Sequence, residues 1–222
     1  MTRDDQVPAG GLSVLARFAA ERTSQPDIER CEMCGESIGA VHSHVVNLTS
    51  RSLLCTCRPC TLLFAYDHAE LRYRAVPDRF LSFPGLLLSP AVWDDLQIPV
   101  GLVFLFHNSN LGHTVAFYPG PAGATESELP MGAWDEVVSD HPELGIVLPD
   151  VEALILHDKG DRGAECYLVP IDNCYELVGR LRQVWRGFDG GQEARALVVD
   201  YFADLESRSR VAPASTDRGA VP

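Results

Sequence analysis

Two cysteine pairs, Cys31-Glu-Met-Cys34 and Cys57-Arg-Pro-Cys60, stand either side of a short stretch of alternating polarity. Thiolates separated by two residues reach one ion from a single tight turn, and Gly35 directly after the first pair relieves the backbone there. Twenty-two residues lie between the pairs, slightly more than the roughly fifteen to twenty usual for a four-cysteine zinc site. Within that gap HSHVVNL and SRSLLC read as two strands meeting at Thr49-Ser50. A knuckle, a hairpin and a second knuckle make a zinc ribbon, so Cys31, Cys34, Cys57 and Cys60 are the predicted metal ligands.

The segment holds more ligands than a ribbon needs. Residues 29–60 carry five of the seven cysteines and two of the seven histidines. A two-residue loop at Thr49-Ser50 sets His44 opposite Cys55 and His42 opposite Cys57, and alternate residues share a face. Cys55, His42 and His44 are therefore possible additional metal ligands. Their ordinary reading is two solvent-facing histidines and a small buried thiol. A second reading makes Cys55 or His44 a replacement or hand-over ligand for metal transfer. A third has thiolates and imidazoles binding an iron–sulfur cluster. The spacing follows neither the ferredoxin nor the Rieske pattern, which favours zinc.

Disulfides are the other use of clustered cysteines, so the compartment matters. The N-terminus carries Asp4 and Asp5 where a secretory signal would be basic, Arg17 breaks its apolar stretch, and no run approaches the length of a membrane span. These features predict a soluble, cytoplasmic protein in which the cysteines bind metal.

With 222 residues, 46% of them hydrophobic, there is material for one core-forming domain beside the small module. Residues 1–28 form an N-terminal segment whose Leu12, Leu15, Ala16 and Ala19 suggest a modest helix, and residues 29–66 are the metal-binding module. Residues 67–99 connect, with a short helix after Pro90. Residues 100–206 are predicted to be an α+β domain, and 207–222, rich in Ser, Ala, Pro and Arg, a disordered tail. In the α+β domain, VGLVFLFHNS with GHTVAFY and VEALILH with AECYLVPI read as two hairpins. Asn173 and Glu176 have capping-box spacing before a helix with Tyr175, Val178, Leu181, Val184 and Trp185 on one face, closed by Gly187. A second helix places Ala194, Leu197, Val198, Tyr201, Phe202 and Leu205 together. The fold class expected is α+β, an antiparallel sheet with helices packed on one side, plus the N-terminal zinc-ribbon-like module.

Charge narrows the choice of partner. From Phe80 to Asp158 there are eleven Asp and Glu and no Lys or Arg, against a net charge of −13 for the whole chain. Such a segment repels phosphate backbones and disfavours nucleic acid; it serves solubility or docks a basic protein partner. Arg51, Arg58, Arg72, Arg74 and Arg79 do cluster near the module, which keeps a zinc-ribbon DNA-binding regulator as an alternative. YPGPAGATES has the glycines of a phosphate loop without its GK[ST] ending, and Lys159 is the only lysine. Cys166 and Cys174 read as core thiols, although Cys174 in a first helical turn is a place where a thiol can ionise easily. His107 and His113 flank a hairpin turn. Asp135, Glu136 and Asp150 have no nucleophile or base at a recognisable spacing, so no catalytic residue is assigned.

The runs CEMCG, HSHVVNL, LLCTCRPCTLLF, RYRAVPDR, IPVGLVFLF, VAFYPGPAGATES, AWDEVV, PDVEALILH and YLVPIDNCYELVGRLRQVWRGFDGG together resemble an uncharacterised, mainly actinobacterial domain-of-unknown-function family. Its genes often neighbour those of NiFe hydrogenases. The resemblance covers roughly residues 29 to 205 and implies an accessory protein for assembly, maturation or regulation of a metalloenzyme; joined to the cysteine module, it makes a non-enzymatic, metal-binding accessory protein the leading expectation. It implies a protein partner, a hydrogenase subunit or a maturation factor. A redox or metal-transfer enzyme using Cys55, His42 and His44 is the alternative from a different class.

Overall fold

The computed structural model describes residues 28–65, 72–86, 88, 93–94, 101–127, 132–160, 163–187 and 189–213. The N-terminal amphipathic patch, most of the segment after Pro90 and residues 214–222 lie outside them.

The cysteine module is built on an antiparallel hairpin of β1 (Ser43–Asn47) and β2 (Ser52–Thr56), followed by a short helix α1 (Arg58–Leu62). The register is the expected one, with His44 opposite Cys55 and Asn47 opposite Ser52. The loop, however, spans residues 48–51 rather than two residues. Asn47 Oδ1 accepts hydrogen bonds from the backbone N–H groups of Thr49 and Ser50, and Arg51 takes a left-handed φ of 56°. Lengthening the loop by one residue on each side leaves the pairing unchanged, which is why the register survives. A third strand, β3 (Tyr73–Ala75), comes from the segment read as connection and pairs with the free edge of β1.

The main sheet has seven strands in the order β10-β4-β9-β8-β5-β6-β7. These are β4 (Leu81–Ser82), β5 (Leu102–Asn108), β6 (His113–Gly120), β7 (Gly123–Glu126), β8 (Glu152–Asp158), β9 (Ala164–Pro170) and β10 (Arg210–Val211). Neighbours are antiparallel except β10 with β4. The two predicted hairpins are β5–β6 and β8–β9, and the Gly- and Pro-rich run YPGPAGATES forms a third tight hairpin, β6–β7.

Helices cover both faces of this sheet rather than one. On one side Leu102, Phe104, Ala153, Ile155, Tyr167 and Val169 pack under α3 (Ile171–Val184) and α4 (Gly191–Arg208). On the other, Val103, Leu105, Leu154, Leu156, Cys166 and Leu168 meet Trp134 and Val137 of α2 (Gly132–Asp140), Leu144 of a 3-10 turn (Pro142–Ile146), and Phe83 and Leu86. Burial on both faces explains why β5 reads as an unbroken apolar run, LVFLF, and not as an alternating one.

The helix α3 begins earlier than the capping-box reading places it. Pro170 is the N-cap with no side-chain cap, and Asn173 lies inside the helix, where its Oδ1 accepts from Arg208 Nη2 at 3.0 Å. The buried face is Ile171, Cys174, Leu177 and Leu181, while Tyr175, expected on that face, is exposed. In α4 the buried residues Ala194, Tyr201, Phe202 and Leu205 follow the predicted stripe. From 207 on, where the composition suggests a tail, α4 continues to Arg208 and Arg210–Val211 add a parallel strand to β4.

Module and domain are joined by packing and by arginines. Val46 of β1 packs with Val151 and Ile171. Arg74 of β3 donates to the Pro149 carbonyl at 2.9 Å and pairs with Asp150. Arg79 forms two hydrogen bonds with Glu152, which is fully buried. Among the described residues no helix is long and apolar enough to cross a membrane.

Candidate metal centre

The first knuckle is a miniature hairpin. Cys31 N–H donates to the Glu36 carbonyl, Ile38 N–H to that of Glu29, and Gly35, at φ 77°, donates back to the Cys31 carbonyl at 2.8 Å. The left-handed φ at Gly35 turns the chain tightly enough to bring Cys31 and Cys34 to one point. The second knuckle uses a helix start. Cys57 is the extended N-cap of α1, Pro59 stands in its first turn, and Thr61 donates backbone N–H to the Cys57 carbonyl at 3.0 Å, which carries Cys60 back toward Cys57. Thr56, fully buried, locks the corner through Thr61 Oγ1 at 2.8 Å and the Ser43 carbonyl at 3.0 Å.

The outcome is that the sulfurs of Cys31, Cys34, Cys57 and Cys60 all lie within 4.8 Å of one another. Those of Cys34 and Cys57 are 3.7 Å apart. A tetrahedral ion with metal–sulfur bonds of about 2.3 Å sets its sulfurs about 3.8 Å apart, so the spacing fits a single ion. Electrostatics agree. Burial opposes ionisation of Cys31, but backbone donors at Cys57, Cys34 and Met33 outweigh it and lower its pKa to about 6. At Cys60 the Cys57 and Cys34 thiols, with burial, push the pKa up to about 12. One thiol of the four gives up its proton readily and another resists; a divalent cation removes that resistance by compensating the shared negative charge. The four cysteines are thus able to hold a metal such as zinc.

The surplus ligands form a second group. His42, His44 and Cys55 also bring one ligand atom each within 4.8 Å of one another, and the two imidazole centroids are 4.7 Å apart. Cys57, predicted on the same strand face, belongs instead to the four-thiol group because β2 ends at Thr56 and the chain turns there into α1. The Cys55 thiol is raised to about 11, first by burial and then by the Glu29 carboxylate. His44 Nδ1 lies 2.7 Å from Asp172 Oδ2 in the first turn of α3. Neither Asp172 nor Glu29 was indicated by spacing; the His44–Asp172 contact spans 128 residues of chain, and only the docking of module on domain creates it.

Other candidates resolve into structure. Cys166 and Cys174 are buried in the two cores, and burial drives both thiols strongly upward. His113 pairs with Asn108, which puts His107 on the opposite face of the hairpin. Asp150 accepts from Ser109 N–H and from Arg74, while Asp135 and Glu136 are exposed on α2. Of the five arginines near the module, Arg74 and Arg79 are engaged by Asp150 and Glu152, and Arg72 lies over Tyr73 and donates to Asn47. A cleft of about 360 Å³ separates the hairpin from the domain, bordered by Val46, Arg51, Phe106, Ile171 and Tyr175; none of the clustered cysteines or histidines lines it.

Residues 30–209 match a family described as "Family of unknown function (DUF5947)". The chain belongs to this family. The match takes in both knuckles, the hairpin, strands β3 to β9 and the helices through α4. No curated protein and no solved structure matches the chain.

Proposed function

We propose that this protein is a metal-binding accessory protein, non-enzymatic, in which zinc at Cys31, Cys34, Cys57 and Cys60 shapes a small module fixed to an α+β domain. The observation that carries the reading is the convergence of four thiols from two separate knuckles. A module with so little core of its own draws much of its folding free energy from the ion. The domain then offers the acids Asp135, Glu136 and Asp140, exposed on α2, to a basic protein partner. The resemblance to a family encoded beside NiFe hydrogenases supports a hydrogenase subunit or maturation factor as the partner, and a cytoplasmic role in its assembly, maturation or regulation.

The test is made in cells that produce both proteins. Replacing the chain with its Cys31→Ser/Cys60→Ser form should release the metal and leave the hydrogenase large subunit synthesised but inactive. Full hydrogenase activity with the doubly substituted chain contradicts the reading. The grouping of His42, His44 and Cys55 favours a second reading, metal transfer or redox chemistry at those residues, and their replacement with retention of the first metal but loss of activity would support it.

A further inference from the structure

Both histidines of the second group have their tautomers set by oxygen acceptors. His44 Nδ1 faces the Asp172 carboxylate at 2.7 Å, and His42 Nδ1 faces the Gly39 carbonyl at 2.9 Å. Neither oxygen can donate, so each Nδ1 carries a proton, and in the neutral imidazole each Nε2 holds the lone pair. The His42 side chain is nine-tenths buried, and its Nε2 is sealed from solvent with no hydrogen-bond partner. A buried acceptor with nothing to accept from is unfavourable, and exceptions of this kind call for an ion or another unseen partner. The Cys55 sulfur belongs to the same group, in which one ligand atom from each of His42, His44 and Cys55 lies within 4.8 Å of the others.

We infer that His42 Nε2, His44 Nε2 and Cys55 Sγ form a second metal centre, separate from the four-cysteine site, taking a zinc-class divalent ion through three protein ligands and leaving one coordination position for an exchangeable ligand. Three protein ligands with an open position distinguish working zinc sites from closed structural ones. The carboxylate–histidine arrangement at Asp172 orients the ring and strengthens it as a ligand. The charge balances: the ion displaces the Cys55 proton to solvent, one positive charge remains on the metal–thiolate unit, and the Glu29 carboxylate, 3.7 Å from His42, stands beside it.

The centre depends on the module's first ion, and to that extent rests on the function proposed above. Glu32, between the two cysteines of the first knuckle, donates its N–H to the Cys55 carbonyl at 2.9 Å and accepts the Cys55 N–H on Oε2 at 2.6 Å. Cys55 is thereby held by the knuckle, and Asp172 ties the same centre to α3 of the main domain. Metal at the second centre bridges module and domain.

The experiment is a titration of the full chain, purified with its first zinc bound, with Co²⁺ followed by absorption and with Zn²⁺ followed by competition with a chromophoric chelator. Two ions per chain are expected in total, the second with the charge-transfer band of a single thiolate. Cys55→Ser and His42→Ala should each bind one ion only, and Asp172→Asn, which leaves all ligands in place, should weaken the second ion by about 10–100-fold. Azide should shift the cobalt ligand-field bands of the second ion and not those of a Co²⁺ placed in the four-cysteine site. Cys31→Ser should lose both ions, whereas Cys55→Ser keeps the first, so failure of the two sites is separable. A single ion per chain, or a second ion indifferent to Cys55, His42 and Asp172, overturns the inference. A single ion lost on Cys55→Ser shows a swapped ligand in one site and overturns it equally. Bands unmoved by azide overturn the open position.

Discussion

Glu152 is a carboxylate with no exposure at all, held by Arg79 through two hydrogen bonds and by the Leu148 N–H at 2.8 Å. The Glu152 bonds, ahead of the opposing effect of burial, raise the Arg79 pKa. Removing one partner of such a pair leaves the other charge buried and uncompensated. Because Arg79 is itself more than a third exposed, Arg79→Ala should cost stability at the low end of the roughly 3–5 kcal/mol typical of a broken buried pair. Urea unfolding checks this, and a loss below about 0.5 kcal/mol, typical of a surface change, contradicts it. The same residue shows what the sequence conceals. Arg79 reads there as one of several cations near the module, and Glu152 as one of eleven acids in a charge-poor stretch; only the fold reveals that they cancel. His44 and Cys55, by contrast, were legible as partners, because hairpin register follows from local alternation, whereas Asp172 was not, since no local rule links residues so far apart along the chain.

At the scale of elements, the strands were easier to read than the helix boundaries. VGLVFLF and VEALILH announce themselves by β-branched and aromatic content, and their lack of alternation already carried the message that both sheet faces are covered. The capping signal at Asn173 misled because the chain passes from β9 into α3 without a loop, so the helix needs no side-chain cap there. The α3–α4 connection is tighter than composition suggests. Gly190, at φ 86°, precedes α4, and a Cβ there would lie 3.0 Å from that of Ala194 and 3.3 Å from the Trp185 ring. Gly187, at φ 66° in the same turn, has open space around it. Gly190→Ala should therefore destabilise by more than the roughly 1–3 kcal/mol of left-handed backbone strain alone, and Gly187→Ala by no more than that strain. Thermal melts of the two variants decide it, and equal shifts would show that the contact with Trp185 and Ala194 is relieved without cost.

Across the whole molecule, a module with four clustered thiols able to hold a metal is joined to a domain built of two apolar layers. A strong chelator should then raise hydrogen exchange across residues 29–65 while β5, β8 and β9, buried on both faces, remain protected. Loosening of the entire chain at once would mean that the domain too depends on the ion. Whether the paired cysteines hold zinc, as proposed, is decided by elemental analysis of protein purified without air, taken together with its visible spectrum. Zinc in the wild-type chain, no iron, a featureless visible spectrum and loss of that zinc in Cys31→Ser/Cys60→Ser are the results predicted. Iron with inorganic sulfide and sulfide-to-iron absorption, lost in the same double variant, would contradict the account and make the centre an iron–sulfur cluster.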